Sequence, residues 1–325
     1  MAYQIRPSHP LDAEFRKVAL TQLDRALADL RKNDGDLHTA IHEARKRFKK
    51  LRGLVRLIRP ADDDLYAALN SACRDGASGL SGVRDKAALI EALDDLGIHF
   101  SEQLADDPLR SVRNGLLSKR EAAAAKEEVI AGAVRSAVVA LEQARPKIEA
   151  FHLGGGRRDI KKAGRVLGRG AAETHERAKR ALKTAEKSRD AEDFHELRKR
   201  AKYHWMHLRL LAPVWPEAFT PPMDLAKIIA DDLGRDHDLA VLQAEIRQDP
   251  AAFGTKETLA LLLALVDKRQ SELRESGISA ARRLLVEETD AFTRRIGKLY
   301  RLAAEESMAV AVAPADVPVA KRRVA

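Results

Sequence analysis

The sequence predicts an all-α protein built from an internal duplication, and three observations support this. Alanine and leucine dominate a chain of 325 residues in which only 4% are aromatic, a composition that favours helices over sheets. Apolar residues recur at spacings of three and four along most of the chain. One offset of 153 residues also relates several separated segments. We therefore expect two helical bundles joined by a glycine-rich linker.

The first half of the chain carries a nearly continuous helical pattern, so its elements are separated by local breaks. Leucines at spacings of three and four predict a helix over 11–32, which "NDGD" at 33–36 ends. A second helix is expected over 41–60, ending at Pro60, and "ADDD" at 61–64 places acidic residues at the start of a third. Further helices are expected over 65–80, 83–96, 98–105 and 110–145.

The second half restarts the pattern after "HLGGGRRD" at 152–159, where three consecutive glycines disfavour a helix. "FTPP" at 219–222 is expected to be a loop. The predicted helices cover 160–188, 191–212, 223–248, 255–275 and 278–304. The domains that follow are a first bundle over 10–152, a second bundle over 157–305 and a disordered, Ala/Val/Pro-rich tail over 306–325.

The clearest trace of the duplication is a basic stretch that occurs twice. "IHEARKRFKKLRGLVRLIRP" (41–60) and "FHELRKRAKYHWMHLRLLAP" (194–213) match without a gap at nine of twenty positions, including both histidines and most of the cations. The same offset pairs Leu80 with Leu233 and Asp85 with Asp238. It also pairs Arg16 with Arg169 on the opening helix of each half.

The first copy carries an apolar stripe and a cationic stripe side by side. The apolar positions step by three and four and are expected to face the core; they are Ile41, Ala44, Phe48, Leu51, Val55 and Ile58. The residue after each of these is cationic or can become so: His42, Arg45, Lys49, Arg52, Arg56 and Arg59. In the second copy four of these places hold His195, Arg198, Lys202 and Arg209, whereas Trp205 and Ala212 take the other two.

A cationic stripe of this length indicates an extended anionic ligand. It spans about 21 Å from His42 to Arg56 at 1.5 Å per residue, and like charges at such spacings repel one another. Arginine matches phosphate oxygens with paired donors, lysine adds a mobile point charge, and a polyanion favours the protonated form of histidine. These residue types suit a linear chain of phosphates better than one small anion.

At these residues the chain resembles the conserved histidine α-helical domain, or CHAD, family. The first-half motif of the family is matched by His42, Arg45, Lys49, Lys50 and Arg52, and the second-half motif by His195, Glu196, Arg198, Lys199 and Lys202. A later Leu-Gly-x-x-x-Asp element is similar to Leu233, Gly234 and Asp238. Trp205 departs from the pattern, because the family often has a basic residue there.

The resemblance implies two pseudo-symmetric four-helix bundles whose histidine-bearing helices line a shared basic groove or pore. It implies a stand-alone module that binds inorganic polyphosphate, associates with polyphosphate granules and has no catalytic activity of its own. The predicted polyphosphate-binding residues are His42, Arg45, Lys46, Lys49, Lys50, Arg52 and Arg56 in the first half, and His195, Arg198, Lys199, Lys202 and Arg209 in the second. Arg16 and Arg169 either extend this groove or form surface salt bridges.

Three other functions remain as alternatives. Nucleic acid is the main one, because its phosphates attract the same cations, although the aromatic platforms that bind single strands are limited to Tyr203 and Trp205. "HEARK" and "HELRK" lack the second histidine of a zinc protease, while His204 and His207 could share a metal. The pair His237–Asp238 is reminiscent of metal-dependent phosphohydrolases, but no spacing predicts the further ligands that such chemistry needs.

Charge and cysteine content narrow the setting. The net charge of +9 is moderate, so the placement of the cations matters more than their number. Cys73 is the sole cysteine, which excludes an intrachain disulfide. The opening residues lack the apolar core of a signal peptide, and the longest apolar run, 259–266, is too short to span a bilayer. We expect a soluble, cytoplasmic protein without a cofactor or bound metal, and the sequence leaves its oligomeric state open.

Overall fold

The computed structural model describes residues 3–31, 37–80, 85–104, 108–123, 127–153 and 160–312. Within these ranges the chain forms α-helices and three short 3-10 turns and contains no strand, which confirms the predicted all-α class. The helices are α1 (Leu11–Leu30), α2 (Leu37–Ile58), α3 (Asp63–Gly79), α4 (Asp85–His99), α5 (Arg110–Ala123), α6 (Glu127–Glu149), α7 (Ile160–Ser188), α8 (Ala191–Leu211), α9 (Pro216–Gln248), α10 (Lys256–Leu284) and α11 (Thr289–Val312).

The helix ends in the basic stretches follow the predicted breaks. After α2 the chain forms a 3-10 turn over Arg59–Ala61, and after α8 it forms one over Ala212–Val214, so these turns lie 153 residues apart. Asp62 then caps α3, since its carboxylate accepts a hydrogen bond from the Leu65 amide at 2.8 Å. The shared offset therefore holds for the ends of these two helices.

Several predicted elements are wrong. Among the described residues, the separate helix expected over 98–105 does not form, because α4 runs to His99 and a turn follows it at 100–103. The "FTPP" loop is instead part of α9, where Phe219 is buried in the core, and this burial favours helix despite the missing N–H groups of two prolines. The disordered tail over 306–325 is wrong for 306–312, which continue α11.

Other predicted features fall partly outside the described residues. The single helix expected over 110–145 is divided between α5 and α6, and 124–126 between them lie outside the described residues. The predicted break at 33–36, residues 154–159 of the glycine-rich linker and residues 313–325 of the predicted tail also lie outside the described residues.

The apolar core does not follow the division into two halves. Its largest cluster takes side chains from α1, α2, α3 and α6 and also from α7, α8 and α11. A second cluster joins α4 and α5 to α9 and α10, and a third joins α7 and α8 to α9 and α10. Separate bundles over 10–152 and 157–305 therefore stay a prediction, while the structure shows extensive apolar packing between the halves.

None of the helices in the described ranges combines the length and the apolar character that crossing a membrane would need.

Candidate anion-binding site

The cationic stripe of α2 is held on its C-terminal part by a neighbour from α3. Arg52 Nε donates to the side-chain oxygen of Asn70 at 3.1 Å, and a terminal nitrogen of Arg56 donates to the same oxygen at 3.0 Å. Both arginines lie half-buried beside the apolar stripe that packs Leu51 and Val55 into the core. Two guanidinium groups are thus fixed side by side on one neutral acceptor.

The same two arginines reach across to α8. The guanidinium carbon of Arg56 lies 4.5 Å from the centre of the Tyr203 ring, and that of Arg52 lies 5.9 Å from it. Arg56 also lies 5.5 Å from the ring of Tyr66 on α3, and Arg59 lies 4.8 Å from that ring. Cation–π attraction therefore links the basic surface of α2 to a side chain of α8.

The two histidine-bearing helices cross at equivalent positions of the repeat. A β-carbon added at Gly53 would lie 2.8 Å from the sulfur of Met206, which is the residue 153 positions later. His207 Nε2 donates to the Gly53 carbonyl at 2.9 Å, and both groups are buried. Because only a glycine permits so close an approach, the crossing fixes α2 and α8 against each other at this point.

A further pair of cations meets beside the crossing. Burial lowers the pKa of the Lys50 ammonium on α2, and the neighbouring charges of Arg47 and of Arg209 on α8 lower it further. The hydroxyl of Tyr3 donates to the Lys50 carbonyl at 2.7 Å and covers this part of α2. Arg209 itself is exposed and lies 5.2 Å from the ring of Trp205.

Two cations of α8, Arg198 and Lys202, lie deeper and close to acidic residues of α9. Arg198 Nε donates to the Ala230 carbonyl at 3.2 Å. Burial lowers the pKa of Arg198, and the carboxylates of Asp238 and Asp231 oppose that shift. Burial likewise lowers the pKa of Lys202, followed by the charge of Arg198. In the first copy, the equivalent arginine, Arg45, donates to a different position of the repeat, the Leu80 carbonyl, at 3.1 Å.

The sequence that forms this site matches the model of a known family. The model of the CHAD domain matches residues 21–247, which is more than half of the chain and includes α2, α8 and most of α9. The chain belongs to the CHAD domain family. This confirms the family resemblance of the sequence.

The fold agrees with a solved CHAD domain. The crystal structure of the CHAD domain from the plant Ricinus communis is similar over 89% of this chain and 96% of that chain, with a TM-score of 0.57 and 15% sequence identity. At this identity the likeness concerns the fold alone. No curated protein sequence matches the chain.

The histidines of the two CHAD motifs lie at half-buried positions of α2 and α8. The ring of His195 lies 3.9 Å, centre to centre, from that of His237 on α9. Burial and the charge of His237 lower the pKa of His195 to about 4. Burial and the charge of Arg198 also lower the pKa of His237. Both imidazoles are therefore neutral near pH 7 in the free protein.

Two of the predicted binding lysines form ion pairs with glutamates on their own helices. Lys46 is paired with Glu43 at 2.6 Å, and Lys199 is paired with Glu196 at 2.6 Å. These ion pairs occupy matched positions on exposed parts of α2 and α8. Lys49 is exposed on α2 within the stripe itself.

Arg16 and Arg169 take different positions although the offset pairs them. Arg16 donates to the Phe151 carbonyl just beyond α6, and it also contacts His152 at 3.2 Å and Asp12 at 3.4 Å. Arg169 is exposed on α7. For Arg16 the alternative of an ion pair is thus observed, and an extension of the groove by either arginine stays a prediction.

The sequence reasoning missed the residues that hold the CHAD cations in place. Asn70 and Tyr66 lie on α3, which carries no charge pattern, and at the position equivalent to Asn70 the second half has Met223. The sequence indicates Tyr203 only as an aromatic platform on which a nucleic-acid base could stack. His237 carried one usable signal, because it follows the Leu233–Gly234 element of the CHAD motif.

His204 and His207, whose spacing allows a shared metal, are part of the core. His204 and His207 are both fully buried, and the His204 ring lies 5.4 Å from that of His175, which stacks on Phe292 at 4.6 Å. In the part of the chain that the structure describes, no cluster of three or more histidine, cysteine or acidic side chains is arranged to hold a metal ion.

Proposed function

We propose that this CHAD-domain protein binds inorganic polyphosphate along a basic surface formed jointly by α2 and α8. The CHAD family is associated with polyphosphate binding in general, and the two motifs of this chain supply the cations that such a ligand needs. In the cell the protein would associate with polyphosphate granules in the cytoplasm. It would act as a binding module and not as an enzyme.

The observation that carries the proposal is the crossing of α2 and α8 at Gly53 and Met206. Because these residues hold the same place in the repeat, the contact fits a pseudo-twofold axis that passes between them. The axis would also relate Arg56 beside Tyr203 to Arg209 beside Lys50, since each pair is offset by 153 residues from the other. Two four-helix bundles related by this axis would bring both cationic stripes to one surface.

Several cations on one surface suit a chain of phosphates. Arg52 and Arg56 lie together on Asn70, so they present two guanidinium groups without a carboxylate between them. Lys50 and Arg209 lie near enough to repel one another. An anionic polymer that bridges these groups would relieve the repulsion, and each contact would release counterions from the ligand.

Nucleic acid is the less favoured ligand because the aromatic rings at the site are occupied. Guanidinium groups lie over Tyr203 and Tyr66, and Arg209 lies over Trp205. A base that stacked on any of these rings would have to displace an arginine. Inorganic polyphosphate has no bases and uses the cations alone.

Competition separates the ligands. Fluorescently labelled long-chain polyphosphate is bound to the protein at low salt, and unlabelled polyphosphate or a mixed-sequence oligonucleotide of equal charge is added. We expect polyphosphate to displace the probe at far lower concentration, and displacement by both at equal concentration would favour a general polyanion site. Release of orthophosphate with added divalent metal would instead support a phosphohydrolase.

A double charge reversal tests the location. Arg56→Glu with Arg209→Glu changes one cation on each side of the crossing, and we expect polyphosphate binding to be lost while helix content by circular dichroism is retained. Arg247→Glu with Lys256→Glu makes the same change in net charge at exposed positions near the end of α9 and the start of α10. Binding that survives the first pair of substitutions would place the site elsewhere.

A further inference from the structure

Asn70 is placed where a carboxylate would be expected. Its side-chain oxygen lies 3.1 Å from Arg52 Nε and 3.0 Å from a terminal nitrogen of Arg56. An amide oxygen offers two acceptor sites, so these two bonds use both of them. An aspartate at this position would make stronger, charge-assisted bonds to the same arginines, but it would also neutralise part of their charge.

The aromatic neighbours of Arg56 hold it in the same manner. The rings of Tyr203 and Tyr66 lie 4.5 and 5.5 Å from its guanidinium carbon. A ring attracts a guanidinium through its quadrupole and carries no net charge. In the described part of the chain, Arg56 contacts Asn70, Tyr203 and Tyr66, which are all neutral, and its positive charge remains available to a ligand.

Other cations of α2 show the contrast. Lys46 pairs with Glu43 at 2.6 Å, and Arg47 contacts Glu43 at 3.5 Å and Asp29 at 3.8 Å. These groups are held by carboxylates and lie outside the stripe. Arg59, the last residue of the stripe, is also held by acids, since it pairs with Asp63 at 2.6 Å and lies 3.6 Å from Glu173. A neutral acceptor thus holds Arg52 and Arg56, whereas acids hold Lys46, Arg47 and Arg59.

We propose that Asn70 is a positioning residue that orders Arg52 and Arg56 for polyphosphate through a neutral acceptor, which adds no negative charge of its own. This role rests on the proposed function of the α2–α8 surface. An arginine that is already fixed loses less rotamer freedom when the ligand binds, so preorganisation raises affinity. The residue equivalent to Asn70 in the second half is Met223, so this arrangement of two arginines on one amide occurs in the first half only.

Two substitutions separate positioning from charge. Asn70→Asp keeps the shape and the acceptors but adds a negative charge, and we expect polyphosphate affinity at low salt to fall about tenfold and the slope of log affinity against log salt to fall by about one. The melting temperature should stay equal or rise, because the bonds to the arginines become stronger. Asn70→Leu removes the acceptor and should lower affinity about threefold with the slope unchanged.

A matched control measures the effect of charge alone. Ala67→Asp adds the same charge at an exposed position one turn earlier on α3, and we expect a smaller loss of affinity than with Asn70→Asp. An Asn70→Asp protein that lost stability together with affinity, or one that bound like the wild type, would overturn the positioning role. Failure of the wild-type protein to bind polyphosphate at low salt would overturn the proposed function itself.

Discussion

The helices α2 and α8 carry nearly the same cationic motif but lie in different surroundings. On α2, Arg52 and Arg56 share a neutral acceptor, the Asn70 amide. On α8, Arg198 and Lys202 lie near the carboxylates of Asp231 and Asp238, and burial lowers the pKa of both cations. The surroundings of these two pairs of cations therefore differ, and the difference comes from the neighbouring helices α3 and α9.

The helix after each motif explains this divergence. In the first half the chain forms α3 and then α4, with the residues between them outside the described part, whereas in the second half α9 is one continuous helix over the equivalent positions. Asp231 and Asp238 lie on this unbroken helix beside α8. Asp238 has an equivalent acid, Asp85, in the first half, whereas Asp231 takes the place of Ser78. A repeated motif can thus keep its own residues while the element that packs against it changes its electrostatic environment.

Removing the cations of each copy should produce the largest effects. The α2 pair should matter more for binding, and the α8 pair should matter more for stability. We expect Arg52→Ala with Arg56→Ala to reduce polyphosphate affinity about a hundredfold at low salt, and Arg198→Ala with Lys202→Ala to reduce it about tenfold. The second pair should lower the melting temperature more, because Asp238 loses the neighbouring cations. Titration with labelled polyphosphate and thermal unfolding measure the two quantities.

The opposite ranking in either measurement would contradict this comparison. If the α8 pair dominated binding, the deeper cations would be the principal ligands and α2 would have a supporting role. Equal losses of affinity would mean that the carboxylates of α9 do not weaken the second copy.

Removing the acids of the second copy should have a moderate effect in the other direction. Asp231→Asn with Asp238→Asn leaves Arg198 and Lys202 uncompensated, and we expect polyphosphate affinity to rise about fivefold at low salt. As a control, Asp232→Asn removes a carboxylate of the same helix that accepts a hydrogen bond from Ser276 at 2.7 Å. An affinity that does not change in the double variant would show that these acids do not reach the ligand.

The histidine pair of the second copy should make binding depend on pH. In the free protein burial and the charge of His237 lower the pKa of His195 to about 4. A polyanion favours the imidazolium, so binding raises this pKa and takes up a proton. We expect affinity to increase about threefold from pH 8 to pH 6, and His195→Asn should flatten the profile. A profile that His195→Asn leaves unchanged would assign the dependence to another group.

The core histidines set the lowest pH at which this binding measurement can be made, because their protonation destabilises the fold. Burial lowers the pKa of His175 to about 4, and it lowers that of His207 to about 4 as well. The unfolded chain, with values near 6.5, therefore binds more protons than the folded chain as the pH falls from 6.5 to 4. Stability is fully present above pH 6.5 and is lost through this range, so helix content is recorded at every pH.

The sequence predicted the helices of the site better than it predicted their partners. Periodicity is local, so the bounds of α8 were predicted to within one residue, whereas α2 begins four residues before its predicted start and ends two residues before its predicted end. The role of Asn70 could not be predicted, because it depends on how α3 packs against α2. Arg16 was paired with Arg169 by the offset, but the fold places it beside the Phe151 carbonyl. Shared residue type in a repeat does not ensure shared contacts.

The smallest effect is expected where the two copies are alike. Lys46 and Lys199 each pair with the glutamate three residues earlier, at 2.6 Å in both cases. Removing either lysine leaves that glutamate with its arginine neighbour, Arg47 or Arg200. We expect Lys46→Ala and Lys199→Ala to change polyphosphate affinity less than about twofold each, and exposed ion pairs of this kind contribute at most about 1 kcal/mol to stability.

Equal, small changes in these two variants would place the ligand on the stripe that Arg52 and Arg56 line, since the Lys46 and Lys199 pairs lie beside it. A loss near tenfold in both would move the phosphate chain toward the glutamate-bearing sides of α2 and α8. A loss in only one would mean that the ligand crosses the two helices asymmetrically. Titration of the single variants at two salt concentrations distinguishes these outcomes, because a direct phosphate contact also lowers the salt slope.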